Sequence, residues 1–255
     1  MEPPVDRTIR TTEDVLNLLD TLFTPAADRW TEDSADWWDA FYADRARGIP
    51  FFVAKPDENL ASYLTRDLLK PPGRALELGC GPGRNALHLA AHGYAVEAVD
   101  LSPTAITWAT ERAEAAAPDI RARVHFHRAD IFTLPAPTTP YDLIVDSGCF
   151  HHLPPHRRIS YLALLDRALA PGGHFALTCF APDENGGGSS LPDEAFYRDA
   201  SLHGGLGYTA EALRGIFADL TEVELRRMND EPPASPYFGE PFLWTALFHR
   251  PLHPV

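Results

Sequence analysis

The sequence predicts an α/β fold: a Rossmann-like, seven-stranded, mostly parallel sheet with an antiparallel C-terminal hairpin, preceded by a helical cap. Three observations predict it. From Arg74 onward, short apolar runs alternate with amphipathic stretches, the pattern of a parallel sheet covered on both faces. A glycine-rich turn, Gly79-Cys-Gly-Pro-Gly83, follows the first run and leads into a helical pattern. The last two runs are joined only by the Pro-rich residues 231–241, too few for a crossover helix, so they should pair antiparallel.

The elements follow in order. Residues 1–72 are aromatic-rich, with helical patterns near 12–23, 34–46 and 57–69, and Pro71-Pro72-Gly73 ends the last of them. This divides the chain into a helical cap or lid, 1–72, and a main domain, 73–255. Strands are expected at 75–78, 95–99, 124–127, 143–145, 174–179, 222–226 and 243–249, with helices starting at Arg84, Pro103, Pro155 and Thr209. After the fifth strand, Gly186-Gly187-Gly188-Ser189-Ser190 predicts a mobile loop.

Composition constrains the partners. The 255 residues carry a net charge of −14, from 36 acidic and 22 basic side chains, and the basic residues do not cluster. Such a surface disfavours nucleic acid and anionic membranes, whose binding rests on clustered Lys and Arg. A local Arg pocket for a small anion stays compatible with it. Cys80, Cys149 and Cys179 are far apart and odd in number, which fits buried thiols in a reducing compartment. The opening MEPPVDRTIR has no apolar leader core, and no stretch reaches the about 18 apolar residues of a membrane span. A cytoplasmic protein, monomeric or homodimeric, is expected.

The turn is spaced G-x-G-x-G. A dinucleotide-binding turn prefers G-x-G-x-x-G, and Arg84 occupies the later position, which argues against a nicotinamide oxidoreductase. The second strand ends in Asp100, 21 residues after Gly79, where a carboxylate can accept both hydroxyls of a ribose. The plainer alternative is a glycine turn with Asp100 or Ser102 capping the helix that begins at Pro103.

These residues resemble the class I S-adenosylmethionine-dependent methyltransferases from Arg74 to Arg250. Glu77-Leu-Gly-Cys-Gly-Pro-Gly looks like motif I, Val99-Asp100-Leu-Ser the ribose motif and Ala129-Asp130-Ile131 the adenine-edge motif. Tyr141-Asp-Leu-Ile-Val-Asp-Ser-Gly-Cys-Phe-His-His is similar to the fourth-strand motif, and Leu169-Ala-Pro-Gly-Gly-His to the turn before the fifth. Trp38-Asp39-Ala-Phe-Tyr42, Ile49-Pro-Phe-Phe and Pro56-Asp-Glu-Asn-Leu60 look most like the small bacterial thiopurine, tellurite-resistance and halide methyltransferases, and like natural-product methyltransferases of secondary metabolism.

The resemblance implies S-adenosylmethionine as cofactor and a small-molecule acceptor with an O, N, S or C nucleophile. By residue, it implies that Gly79, Gly81 and Gly83 lie under the methionine portion and that Asp100 holds the ribose. Asp130 would meet the adenine amino group with Ile131 against the ring, and Asp146, Ser147 or Gly148 would reach the methionine end, mainly through backbone. Glu77, Cys80, Asn85, Leu101 and Ser102 complete that set, with Tyr42 and Phe51 as aromatic cover for the sulfonium.

Methyl transfer is an in-line displacement, so the protein must align two groups and exclude water, and a base is optional. His151 and His152 follow the fourth strand; one is a candidate general base, His151 first, and the alternative is that both are structural. Neither Cys149, His151, His152 and His156 nor His125 with His127 has a metal-site spacing, so no metal is expected. Trp30, Trp37, Trp38, Phe41, Tyr42, Phe51 and Phe52 form either a core between cap and sheet or a lid. Tyr197, His203 and Tyr208 are candidates for a second lid shaping the acceptor pocket. A fold of this kind that binds the cofactor but performs a non-methylating, pericyclase-like reaction, or serves as a binding module, is the alternative function.

Overall fold

The computed structural model describes residues 9–25, 27–182 and 186–252. Most of the opening stretch read for a leader, residues 1–8, lies outside them. Three helices come first: α1 (Thr12–Asp20), α2 (Ala35–Ala43) and α3 (Glu58–Thr65). A Thr11–Asp14 capping box starts α1, each side chain accepting the other residue's backbone N–H. All three are shorter than their sequence patterns. Behind α3, Asp67 adopts a positive φ of 57°, which ends the helical run before the prolines.

From there strands and helices alternate as β1 (Arg74–Leu78), α4 (Arg84–Ala91), β2 (Ala95–Asp100), α5 (Pro103–Glu114), α6 (Pro118–Arg121), β3 (Val124–Arg128) and β4 (Tyr141–Ser147). Then follow α7 (Arg157–Ala168), β5 (Leu169–Phe180), α8 (Asp193–Asp199), α9 (Ala210–Ile216), β6 (Thr221–Arg227) and β7 (Leu243–His249). Every expected strand is present. The seven strands form one sheet in the order β3-β2-β1-β4-β5-β7-β6. The first five pair in parallel, and β7 runs antiparallel to both β5 and β6. The C-terminal hairpin is therefore inserted inner strand first, with β7 against β5 and β6 on the outside.

That order puts Phe180 opposite Leu243, so the start of β7 joins the carboxyl ends of the parallel strands along one edge of the sheet. The chain order reverses between β1 and β4, the switch point at which open α/β sheets leave a crevice. Both faces are filled: Leu76, Leu78, Ile144, Phe150, Tyr161, Phe175 and Phe248 lie in one apolar cluster, and Ala75, Ala86, Leu89, Val96, Leu143 and Leu247 in the other. Burial at about 25 cal/mol per Å² of apolar surface holds the layers together.

Gly188 and Ser189, in the stretch expected as a mobile loop, are hydrogen-bonded in place. Gly188 N–H donates to the Ala181 carbonyl at 2.9 Å, and Ser189 exchanges two bonds with Gly205 and Gly207, each 2.9 Å. The same stretch of chain, 205–208, also lies against β5, with Leu206 N–H donating to His151 O and Tyr208 N–H to Phe180 O. Among the described residues no helix is long and apolar enough to cross a membrane.

Candidate active site

The glycine turn leaves β1 at the switch point. Gly79 and Gly81 take positive φ values of 63° and 50°, a backbone shape in which a side chain is strained. An added Cβ on Gly81 would sit 3.0 Å from the Tyr42 hydroxyl, so α2 packs onto bare backbone there. Above the turn opens a cavity of about 240 Å³. Fifteen of the eighteen sequence-nominated residues line it: Tyr42, Phe51, Glu77, Gly79, Cys80, Gly81, Asn85, Asp100, Leu101, Asp130, Ile131, Ser147, Gly148, His151 and His152.

Three nominated residues stand behind the wall. Gly83 is the N-cap of α4, and a Cβ there would meet the Phe126 ring at 2.7 Å and Ala109 at 3.0 Å. Its missing side chain leaves room for this helix–sheet packing. Ser102 caps α5, its hydroxyl accepting Ala105 N–H at 3.0 Å and donating to Asp39. Asp146 is fully buried; its carboxylate accepts N–H groups of Gly148, Cys149 and Phe150 and the Tyr161 hydroxyl at 2.7 Å. It shapes the turn after β4 and so positions Gly148. Of the second-lid candidates, Tyr197 bonds His156, Tyr208 stacks on Phe150 in the core and His203 pairs with Asp199, all away from this cavity.

Two buried carboxyls face the cavity from β1 and β2. Asp100 accepts Gly81 N–H at 2.8 Å through one oxygen and Ser102 N–H at 2.9 Å through the other. Burial pushes its carboxyl up to about 6, and these backbone donors offset part of the effect. Glu77 is 2% exposed, and its Oε2 has no hydrogen-bond partner among the described residues. Burial pushes it up to about 8, while Arg84 nearby pulls it down. A buried acid oxygen with no partner costs stability unless a ligand supplies the missing donor.

A buried polar knot, which sequence reading missed, holds the next stretch of wall. Asp57 is wholly buried, forms an ion pair with Arg84 and accepts Ser147 Oγ at 2.6 Å and Asn85 Nδ2 at 3.2 Å. Its own N–H donates to Asn85 Oδ1 at 2.9 Å, and Arg84 Nη2 donates to Ser147 Oγ at 3.1 Å. Pairing on this scale is what makes a buried charge tolerable. The Arg84 guanidinium also lies 4.4 Å from the Phe238 ring centroid, and Phe238 is tied to Pro56 and Glu58 by backbone bonds. The knot thus joins α3, α4, the end of β4 and the β6–β7 connection. In the sequence, Asn85 and Ser147 stood out only as cofactor contacts and Asp57 only within a family-like segment, with no sign that they would meet.

Much of the remaining lining is aromatic. Arg29, Trp30, Trp38, Phe180, Phe242 and Leu243 line the cavity alongside the two histidines. His151 is 4% exposed, and its ring stacks on Phe180 at 3.7 Å. Its Nδ1 lies 3.2 Å from Phe180 N–H and accepts from it, which assigns the ring proton to Nε2. Burial holds His151 well below the usual imidazole range and takes His152 down to about 4, with Arg29 adding to the latter. In that tautomer Nε2 offers an N–H donor and not the lone pair that a general base needs. His152 lies edge-on to Trp38 with ring centroids 5.3 Å apart. Cys80 and Cys149 also line the cavity, and burial raises both thiols well above their ordinary range, so they are neutral. No group of three or more His, Cys, Asp or Glu among the described residues is arranged to hold a metal.

Comparison with known proteins agrees with this layout. Residues 75–173 match a family model described as a methyltransferase domain. Probable thiol methyltransferase 2 of Arabidopsis thaliana is 30% identical over 158 residues, 62% of this chain and 67% of that protein. The 2-heptyl-1-hydroxyquinolin-4(1H)-one methyltransferase of Mycobacteroides abscessus is 29% identical over 170 residues, 61% of this chain and 71% of that one. A solved structure concerned with conversion of a disulfide bond into a thioacetal group during echinomycin biosynthesis superposes with a TM-score of 0.64 at 27% identity, over 86% of this chain and 93% of that one. With the sheet order, the glycine turn and the acid at the end of β2, these matches establish that the chain belongs to the S-adenosylmethionine-dependent methyltransferases.

Proposed function

We propose that the protein transfers a methyl group to a small-molecule acceptor inside this cavity, with residues 1–72 as a helical cap over a methyltransferase domain, 73–255. When bound, S-adenosylmethionine supplies an electrophilic methyl group on a sulfonium. The single observation that carries the reading is the pair of buried carboxyls, Asp100 and Glu77, facing one cavity above a side-chain-free turn.

Asp100 would accept the ribose hydroxyls through lone pairs that its two backbone donors leave free. Glu77 Oε2 meets no donor among the described residues, and the α-ammonium of the methionine end would supply one. Asp130 and Ile131 would take the adenine, the loop Ser147–Gly148 the methionine chain, and Leu101 the sugar edge. Tyr42 and Phe51, which belong to one aromatic cluster with Phe52 and Trp108, would cover the sulfonium and keep water from the reacting atoms. His151 and His152 stand at the acceptor end, His151 as a hydrogen-bond donor to the acceptor.

A reaction with methyl-labelled S-adenosylmethionine and candidate small acceptors tests this. The expected result is a product heavier by one methyl with one equivalent of S-adenosylhomocysteine. Conversion of an acceptor without cofactor consumption would overturn it.

A further inference from the structure

We infer that Asp39 is a positioning residue of the donor site: it fastens cap helix α2 to the start of α5 and so sets Tyr42 over the glycine turn. The inference rests on the methyl-donor reading above. Three observations carry it.

First, one oxygen of Asp39 accepts two groups of the main domain, the Ser102 hydroxyl and, at 3.0 Å, Thr104 N–H. Thr104 is the second residue of α5, where the free N–H groups and the helix dipole suit a carboxylate. Ser102 caps this helix from its own chain, and Asp39 reaches in from α2 as a second cap. Second, Ser102 stands between two acids, giving its hydroxyl to Asp39 and its N–H to Asp100 at 2.9 Å. The ribose carboxyl and the cap are thus tied to one residue. Third, the neighbouring contact between α2 and α5 is apolar, with Tyr42, Ala105 and Trp108 in one cluster. Apolar packing is non-directional, whereas hydrogen bonds fix a register. Just beyond α2, Arg45 pairs with Glu111 in an exposed bridge that adds little. The register matters at Tyr42, whose hydroxyl lies 3.0 Å from where a Cβ on Gly81 would sit, and both Trp38 and Tyr42 line the cavity.

The same contact carries charge. Burial raises the Asp100 carboxyl, and the negative charge of Asp39 adds to that. Tyr42, Cys80 and Cys149 also face Asp100, and burial raises each well above its ordinary range, so they are neutral. Arg128, level with Asp100 on β3, gives its Nε to the Leu101 carbonyl at 3.3 Å. Removing the charge of Asp39 while keeping its acceptor oxygen therefore eases ionisation of Asp100.

The test is calorimetric titration of S-adenosylhomocysteine into the wild type, Asp39→Ala and Asp39→Asn, at pH 7.5 and in steps down to pH 5. At pH 7.5 Asp39→Ala should bind at least about tenfold more weakly, because two hydrogen bonds are lost. Asp39→Asn keeps an oxygen for both donors and should recover most of that loss. In acid, affinity should fall at a lower pH in Asp39→Asn than in the wild type. Wild-type affinity in Asp39→Ala, or an Asp39→Asn protein as weak as Asp39→Ala, would overturn the inference. Should Asp39→Ala not fold, the Asp39→Asn profile decides, and an acid fall-off at the wild-type pH overturns it. Failure of the wild type to bind S-adenosylhomocysteine sinks the donor reading instead.

Discussion

Glu77→Gln isolates one buried acid. With its carboxyl pushed to about 8, roughly nine-tenths of Glu77 is protonated at pH 7 in the free protein. An α-ammonium on Oε2 favours the ionised form, so cofactor binding at pH 7 should release a proton from this residue. The wild type should release about 0.9 more protons per site than Glu77→Gln, a difference from which the contributions of Asp100 and of the ligand's own amine cancel. Calorimetry of S-adenosylhomocysteine binding in two buffers of different ionisation enthalpy reads that number. Equal proton release from the two proteins would refute the assignment.

The same substitution has a stability signature. The folded-state value lies above the ordinary 4.5, so Glu77's contribution is fully present below about pH 4.5 and is lost as pH rises through 8. The variant should unfold later than the wild type at pH 9, by up to a few kcal/mol for so buried a group, and the gap should close in acid.

Other outcomes follow from the geometry. Asp100→Ala should weaken S-adenosylhomocysteine binding at least about a hundredfold, since two hydrogen bonds to a charged acceptor are at stake; unchanged affinity in a titration would remove the ribose role. Wild-type affinity should also fall as pH drops below about 6, where Asp100 takes up its proton. Asp57→Asn leaves Arg84 buried without its counter-charge, and denaturant unfolding should show a loss of about 3–5 kcal/mol; a loss under about 1 kcal/mol would mean the knot is dispensable. Gly83→Ala should cost about 1–3 kcal/mol through the Phe126 contact while the folded protein keeps its cofactor affinity; lost affinity at full stability would make Gly83 a ligand contact.

The strands were legible because a buried parallel sheet demands continuous apolar runs, and those at 75–78, 95–99 and 143–145 have few other uses. The turn and Asp100 were legible because a bare-backbone turn and a strand-end acid are local in sequence. What was hidden is non-local. Nothing near Asp57 announces that Arg84, Asn85 and Ser147 will converge on it, 27 to 90 residues away.

Phe238, Phe242 and Leu243 reach the cavity because β7 lies between β5 and β6, an order that the apolar LWTALFH of β7 and the charged TEVELRR of β6 fit but that says nothing of which loop residues meet the site. Helix α8 was passed over because its seven residues, Asp193–Asp199, bury only Ala195 and Phe196, too few to set a helical period. At Gly83, Ser102 and Asp146 the residue types were read for ligand contact, yet each supports the wall from behind: a packing gap, a helix cap and a turn clasp.

The most direct test of the central claim is a crystal structure of the protein with S-adenosylhomocysteine. The account predicts the ribose hydroxyls on the Asp100 carboxylate, the adenine between Asp130 and Ile131, and the α-ammonium on Glu77 Oε2. A ligand seated elsewhere, or one whose ribose and ammonium leave both carboxyls untouched, would contradict it.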